Sequence, residues 1–265
     1  MGFHVSLHHS ISTPTNGGQA PWLILIHGLF GNADNLAVVK RHFAPHFNIV
    51  SVDLPDHGQS DWTTEFTLTG AVTELKLLLD TLNIGPCAIL GHSLGGKVAM
   101  LFSLMHQEYV SRLIVADIAP VNYTHRHQGI FDGLTAVALD NLESRKKADQ
   151  LMSQHIKEPG VRQFLLKSLF QDESKAWRWR FNLHGLIASY TNIISWPDTN
   201  ETSQCPTLFI KGNESDYILP EHRPLIAKHF PNAKAHVIEG AGHWLHAEKP
   251  AAFNRIVENY LSKCK

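Results

Sequence analysis

Cysteine is scarce in this sequence, and neither sign of charge is in excess. The 265 residues include three cysteines, Cys87, Cys205 and Cys264. Their odd number and wide spacing argue against a disulfide framework and against a C-x-x-C redox pair. The formal net charge of −1 disfavours nucleic-acid binding driven by bulk electrostatics. We therefore predict reduced thiols and no nucleic-acid partner.

Long apolar runs are also missing. No stretch approaches the roughly 20 apolar residues that a membrane-spanning helix needs. The first residues lack the cationic start and apolar stretch of a secretory signal. We therefore predict a cytoplasmic protein without a membrane partner. The hydrophobic content of 43% is sufficient for a sizeable core, and the length fits one large domain or a domain with an insertion.

Short apolar runs alternate with helical patterns along much of the chain. The runs lie at 22–26, 48–52, 87–90, 112–116, 206–210 and 235–238. Continuous apolar runs are typical of strands covered on both faces, and amphipathic spacing over 68–82 predicts a helix between two of them. This alternation predicts an α/β fold with a mostly parallel sheet and helices on both faces. Residues 3–9 are predicted as an edge strand.

Strand signals stop after Pro120 and return only near residue 206. Between them, apolar residues recur at helical spacing with breaks, over a stretch too long for a connecting loop. We predict that residues 1–122 and 203–265 form the core and that residues 123–202 form an inserted helical cap over the strand ends.

One segment of the predicted cap alternates aromatic and basic residues, Trp177-Arg178-Trp179-Arg180-Phe181. Its aromatic rings could cover an acyl chain while an arginine binds an anionic head group. Alternatively, the rings belong to the cap interior and the arginines are solvated. We favour the second interpretation.

The most informative turn is Gly91-His92-Ser93-Leu94-Gly95, between a predicted strand and a predicted helix. The G-x-S-x-G pattern at such a junction is the nucleophile elbow, which exposes the serine hydroxyl on a sharp turn. Side chains at the two glycine positions would collide with the neighbouring strand and helix. We predict that Ser93 is a nucleophile.

A serine hydroxyl needs an adjacent base. His243 follows the last predicted strand within a glycine-rich loop, and functional groups of a parallel sheet collect at the carboxyl ends of its strands. We predict that His243 is the base. His27 and His92 are expected to brace loops.

Two aspartates qualify as the group that orients the histidine. Asp117 ends the strand after the elbow helix, and Asp216 lies in the turn before the histidine strand. The usual spacing in that turn, counted from Gly212, places Ser215 where an aspartate is expected, with Asp216 one residue later. We prefer Asp117 and keep Asp216 as the alternative.

Acyl transfer also needs donors for the developing oxyanion. The backbone N–H of Leu94 is predicted as one donor. The second should come from the loop that begins at His27, from the N–H of Leu29 or alternatively of Phe30. No cofactor is predicted. A metal site is disfavoured because no carboxylate or cysteine completes a zinc set around His243-x-x-His246.

Five segments together resemble the α/β-hydrolase superfamily across nearly the whole chain, and most closely its small bacterial YbfF-type esterases. These segments are HGLFGNADNL, VDLPDHGQSD, GHSLGGKVAM, ADIAPVNY and GAGHWLHAEKP. The resemblance implies a serine carboxylic-ester hydrolase with a helical cap, acting on acyl esters or on acyl-CoA thioesters. It carries over Ser93 as nucleophile, His243 as base and an acid at the position of Asp117.

Other functions share this site. A C–C bond hydrolase and a cofactor-free haloperoxidase use the same triad, and a hydrolase-like ligand-binding protein would use the fold without turnover. Haloalkane dehalogenases and epoxide hydrolases carry an aspartate in place of Ser93, which disfavours both. The sequence predicts neither the acyl length nor the oligomeric state.

Overall fold

The computed structural model describes residues 6–15 and 19–262, which are organised around a seven-stranded sheet. The nine strands are β1 His9–Ser12, β2 Trp22–Ile26, β3 Asn48–Val52, β4 Cys87–His92, β5 Val110–Ala116, β6 Leu169–Gln171, β7 Trp177–Trp179, β8 Thr207–Gly212 and β9 Ala233–Ile238. The order in the large sheet is β1-β3-β2-β4-β5-β8-β9. Its first strand is antiparallel to its neighbour, and all other neighbours are parallel.

Eleven α-helices accompany these strands in the described residues. They are α1 Ala37–Phe43, α2 Leu68–Thr81, α3 Leu94–Met105, α4 Gln128–Thr135, α5 Arg145–Met152, α6 Pro159–Leu166, α7 Leu183–Ala188, α8 Tyr190–Ile194, α9 Arg223–His229, α10 Leu245–Glu248 and α11 Pro250–Leu261. None of the helices in this part of the chain is both long and apolar enough to cross a membrane.

The sheet separates two hydrophobic layers, because successive strand side chains point to opposite faces. On β2, Ile24 and Ile26 pack with helices α2 and α3, while Leu23 and Leu25 pack with α1 and α11. The fully apolar strands predicted from the sequence therefore have both faces covered. The predicted mostly parallel sheet with helices on both faces is confirmed.

The insertion between β5 and β8 contains helices α4 to α8 and the separate hairpin β6–β7. Its apolar side chains continue the layer above α2 and α3. Backbone bonds tie it to the loop after β3: Gly58 N–H donates to Arg180 O at 2.6 Å, and Asn182 N–H donates to Asp56 O at 2.9 Å. The insertion is therefore packed against the core over the strand ends.

Two expectations about secondary structure were wrong in part. The first strand covers His9–Ser12 instead of residues 3–9, of which residues 3–5 lie outside the described residues. Ser6 and His8 instead bond to the loop after β3, where Asp61 N–H donates to Ser6 O and His8 N–H donates to Ser60 Oγ. In the insertion, Trp177–Trp179 forms a strand, since its backbone pairs with Leu169–Gln171.

Candidate active site

The turn between β4 and α3 has the geometry of a nucleophile elbow. Ser93 has φ 52° and ψ −119°, a strained conformation for a residue with a side chain. A Cβ on Gly91 would lie 2.2 Å from Gly95 O, and a Cβ on Gly95 would lie 2.3 Å from Ile26 O. The two glycines are therefore required by crowding, as the sequence predicted. Ser93 N–H donates to Ala116 O at 3.0 Å, which anchors the turn to β5.

Three predicted site residues from three different strand ends form one hydrogen-bonded chain. His243 Nε2 lies 2.9 Å from Ser93 Oγ, and His243 Nδ1 lies 2.8 Å from Asp117 Oδ2. With the proton on Nδ1, the ring donates to the carboxylate and its Nε2 lone pair accepts from the serine hydroxyl. This arrangement can deprotonate the serine and hold the resulting imidazolium next to a negative charge.

Besides the imidazole of His243, other donors also hold the carboxylate of Asp117. The residue is fully buried, with φ 53°, and its N–H donates to Ile210 O at 2.8 Å. Gly212 N–H donates to Oδ1 at 3.2 Å, and the Ser215 hydroxyl donates to Oδ2 beside the imidazole. Burial raises the pKa of Asp117, whereas the bonds from Ser215 and Gly212 act in the opposite direction. These donors favour the ionised carboxylate that the histidine needs.

Asp216, the alternative acid, takes a different partner. Its Oδ2 lies 2.5 Å from Arg126 Nη2, and its side chain is 67% exposed. The Arg126 guanidinium lowers the pKa of Asp216 through this bond. Among the contacts of the described residues, the imidazole of His243 bonds to Asp117 and not to Asp216. Ser215 occupies the position where the acid is usually found. Its hydroxyl donates to the carboxylate of Asp117, which contacts His243 in place of that acid.

The imidazole of His243 is stacked on an aromatic ring. Its ring and that of Tyr217 are 3.7 Å apart and inclined by 14°, and the Arg126 guanidinium lies over Tyr217, 4.1 Å from the ring centroid. The Tyr217 hydroxyl lies 3.0 Å from His127 Nε2. Burial lowers the pKa of His243, and the Arg126 charge lowers it further, so the ring is neutral at pH 7 and available as a base.

The loop that carries His243 is fixed from both sides. His92 Nε2 donates to His243 O at 2.8 Å. Glu248 accepts from Gly242 N–H at 2.7 Å and from Trp244 N–H at 3.2 Å. His92 therefore braces the loop that carries His243, as expected. Glu248, which belongs to the HAEKP segment, holds the same loop through the loop's backbone N–H groups.

The structure distinguishes between the two candidates for the second oxyanion donor. Phe30 N–H donates to His57 Nε2 at 3.1 Å, so it is not free to bind a substrate oxygen. No described residue accepts from Leu29 N–H or Leu94 N–H in the backbone and side-chain bonds of this region. An ideal Cβ on Gly28 would lie 3.1 Å from Ser93 Cβ, which puts this loop directly against the serine.

Two neighbouring chambers meet at Ser93. The larger has a volume of about 190 Å³ and is lined by His243, by Trp244 and by apolar side chains of the insertion. These side chains are Ile130, Val161, Phe164 and Leu165. The smaller has a volume of about 30 Å³ and is lined mainly by Leu29, Leu94, Lys97, Ile118, Tyr123, Ile193 and Ile194.

The aromatic and basic segment of the insertion does not reach these chambers. No residue from Trp177 to Phe181 lines either of them. Trp179 is buried and stacks on Phe181 at 5.4 Å, and Arg178 lies 3.3 Å from Asp172. This agrees with the interpretation favoured from the sequence, aromatic residues in the interior and solvated charges. The arginine near the serine is Arg126, which the sequence did not single out.

The potential metal ligands in residues 6–15 and 19–262 are the side chains of histidine, cysteine, aspartate and glutamate. No group of three or more of these side chains within the two ranges has a geometry that could hold a metal ion. His246, which the H-x-x-H spacing singled out, is buried with its ring 4.5 Å from that of His92. Burial holds the pKa of His246 well below its usual value. Burial lowers the pKa of His92 as well, so the rings of His246 and His92 are both neutral at pH 7.

Comparison with known proteins agrees with this geometry. A family model described as the alpha/beta hydrolase fold matches residues 21–250. The chain belongs to the α/β-hydrolase family. It is 39% identical to Esterase YbfF of Escherichia coli (strain K12), over 91% of this chain and 92% of that protein. The predicted resemblance to YbfF-type esterases is confirmed.

Two further similarities extend to an animal protein and to a solved structure. The chain is 35% identical to the sn-1-specific diacylglycerol lipase ABHD11 of Mus musculus, over 91% of this chain and 81% of that protein. A solved structure described as a marine microorganism esterase superposes with a TM-score of 0.91 at 32% identity, covering 96% of this chain and 99% of that one. This α/β hydrolase is therefore an enzyme of the esterase and lipase type.

Proposed function

We propose that this α/β hydrolase cleaves small carboxylic esters through an acyl-enzyme on Ser93. The observation that carries the proposal is the imidazole of His243, which lies 2.9 Å from Ser93 Oγ and 2.8 Å from Asp117 Oδ2. In this assignment Ser93 is the nucleophile, His243 the general base and Asp117 the group that orients it. The names of its relatives, esterases and a diacylglycerol lipase, support ester hydrolysis as the reaction class.

The reaction has two halves. In the first, Ser93 Oγ attacks the ester carbonyl carbon while His243 Nε2 takes the hydroxyl proton. The oxyanion accepts hydrogen bonds from Leu29 N–H and Leu94 N–H, each worth roughly 10²–10³ in rate. His243 then gives its proton to the leaving alcohol. In the second half water attacks the acyl-enzyme by the same steps, and the carboxylic acid leaves.

We assign the insertion a role in enclosing the substrate. Residues 123–202 act as a cap on a core made of residues 1–122 and 203–265. Support comes from Ile130, Val161 and Phe164, which belong to the insertion and line the larger chamber opposite Ser93. A thioester has the same carbonyl and a better leaving group, so acyl-CoA thioesters belong in the same substrate test.

The decisive experiment combines turnover with covalent labelling. The native protein should release p-nitrophenol from p-nitrophenyl acetate in a burst of one equivalent, and mass spectrometry should locate the acetyl group on Ser93. Ser93→Ala should abolish the burst and lower kcat on the order of 10⁶-fold. A fluorophosphonate should label the native protein and not this variant.

Ser103→Ala is the matched control. Ser103 lies on α3, the helix that follows Ser93; its hydroxyl bonds to Ser203 Oγ at 2.7 Å, and it lines neither chamber. Its loss should leave the burst and the labelling unchanged. A full burst from Ser93→Ala would refute the proposed nucleophile. Labelling without turnover on any ester or thioester would favour a ligand-binding protein.

A further inference from the structure

The two chambers beside Ser93 differ in their contacts with the proposed catalytic machinery. Both are lined by Ser93, but among the described residues Leu94 lines only the smaller one and His243 only the larger one. Cleavage requires His243 Nε2–H to protonate the oxygen of the leaving alcohol. The alcohol therefore lies in the larger chamber, and the acyl group, on the other side of the carbonyl carbon, lies in the smaller one.

The smaller chamber has little room. Its volume is about 30 Å³, against about 190 Å³ for the larger chamber. The acyl group is therefore the shorter of the two groups that flank the ester carbonyl. Arg126, His127 and Tyr217 line both chambers, whereas the aliphatic wall formed by Ile118, Ile193 and Ile194, which are all buried, belongs to the smaller one alone. An apolar acyl group matches this wall, and a long one does not fit.

A buried lysine fixes that wall relative to the nucleophile. Lys97 lies one turn after Ser93 on α3 and is only 1% exposed. Its Nζ donates to Ile193 O at 3.3 Å, to Ile194 O at 2.7 Å and to Ser195 O at 2.7 Å. An ammonium group has three N–H donors, so all of them are engaged.

These carbonyls end the helix α8, where a cation is favoured by the helix dipole. The same lysine side chain lines the chamber. Helix α3, the lysine and the end of α8 therefore form one connected frame around the acyl group. Without these three hydrogen bonds, Ile193 and Ile194 would no longer be bonded directly to helix α3.

We propose that the smaller chamber is the acyl pocket, that it restricts the substrate to short acyl groups, and that Lys97 sets this limit by holding Ile193 and Ile194 in place. The substrate class is therefore a short-chain acyl ester of a larger alcohol. This inference rests on the function proposed above. In it Lys97 is a positioning residue that determines specificity.

The first test is an acyl series on one alcohol. The values of kcat/KM for p-nitrophenyl acetate, propionate, butyrate and hexanoate should be highest for the first two. Each methylene in a hydrophobic pocket discriminates by roughly tenfold or more, so butyrate should fall about tenfold below acetate and hexanoate further. A profile that stays flat or rises toward hexanoate overturns the proposal. Absence of turnover on every ester, without fluorophosphonate labelling, instead rejects the proposed function itself.

The second test enlarges the pocket in two independent ways. Lys97→Met removes the three bonds, and Ile194→Ala removes three carbons from the wall without touching the lysine. Each should raise the butyrate-to-acetate ratio of kcat/KM about tenfold. A purely structural role for Lys97 would lower both substrates equally and leave the ratio unchanged. An unchanged ratio in an active, folded Ile194→Ala enzyme overturns the pocket assignment, even where Lys97→Met fails to fold.

Two controls separate the chambers. Lys167→Met makes the same substitution at an exposed lysine that lines neither chamber, and it should leave the acyl profile unchanged. Ile130→Ala enlarges only the larger chamber. It should alter the preference between methyl and p-nitrophenyl acetate while the butyrate-to-acetate ratio stays constant. A change of acyl preference in Ile130→Ala would assign the acyl group to the larger chamber and contradict the proposal.

Discussion

The choice between two aspartates gives the sharpest test of the site. In Asp117→Asn an amide replaces the carboxylate that accepts from His243 Nδ1. If the amide turns its NH₂ group toward the ring, Nδ1 must accept, and the proton moves to Nε2. The ring then cannot accept the proton of Ser93, and a loss on the order of 10⁴ in kcat is expected. This corresponds to about 5.5 kcal/mol at about 1.36 kcal/mol per factor of ten.

The same substitution at Asp216 should cost far less. Its side chain is 67% exposed, and its partner is Arg126. Exposed ion pairs contribute about 0–1 kcal/mol, so Asp216→Asn should change kcat by at most about fivefold. The assay is hydrolysis of p-nitrophenyl acetate at pH 8, with thermal unfolding to confirm that both variants are folded. A loss of about 10⁴ in Asp216→Asn, with Asp117→Asn near native, would falsify the acid assignment.

A second substitution tests whether a carboxylate restored near His243 also restores activity. Ser215 occupies the usual acid position, and its hydroxyl already touches the oxygen of Asp117 that His243 contacts. In the double variant Asp117→Asn, Ser215→Asp, a carboxylate returns to the neighbourhood of His243 Nδ1. We expect recovery of at least about tenfold over Asp117→Asn alone, which follows if the proton on Nδ1 is what was lost. Equal activities of the single and double variants would show that orientation of the histidine is not the limiting defect.

Three further predictions follow from contacts at the site. Ser215→Ala removes a hydrogen bond to a charged group, worth about 1.5–3 kcal/mol, so kcat/KM should fall roughly 10- to 150-fold; a loss of stability with unchanged kinetics would contradict this role. Burial raises the pKa of Asp117 to about 7 and lowers that of His243, so the hydrogen-bonded pair takes up its first proton near neutral pH, and kcat/KM measured from pH 4.5 to 9 should decline below about pH 7; a profile that stays flat down to pH 5 would contradict the raised pKa of the buried carboxyl. Gly28→Ala places a Cβ 3.1 Å from both Ser93 Cβ and His92 Nδ1, and the resulting shift of the serine should lower kcat about 10- to 100-fold at nearly unchanged thermal stability; native kinetics would show that the loop yields instead.

The fold could be predicted because its strands are encoded by continuous apolar runs. The run Trp22–Ile26 is buried on both faces and matches its predicted bounds, as does Asn48–Val52. The hairpin β6–β7 was missed because its strands have three residues each, too few to show a period. The first strand was predicted too early in the chain. Ser6 and His8 make polar contacts with a distant loop, and such contacts produce no pattern in the local sequence.

The meeting of Ser93 and His243 could be predicted because both stand in glycine-rich turns that follow strand ends. The surroundings could not be predicted in the same way. Tyr217 stacks on His243 from a different loop, and Arg126 lies over that ring from the insertion. Such contacts depend on how two loops approach in space, and neither residue stands at a helical or strand period. Lys97 illustrates the same difficulty, since a lysine in an amphipathic pattern predicts a solvated side chain and not one that is 1% exposed.

The second oxyanion donor shows how the motifs depend on one another. Phe30 has φ 62°, a conformation that costs about 1–3 kcal/mol in a residue with a side chain. His57 accepts its N–H at 3.1 Å, and Ser168 of the insertion donates to its carbonyl at 3.0 Å. These contacts engage Phe30 N–H, which supports the N–H of Leu29 as the proposed second donor. A backbone bridge pairs His57 with Phe181 of the insertion, so the residue that engages Phe30 N–H is also one that holds the insertion against the sheet.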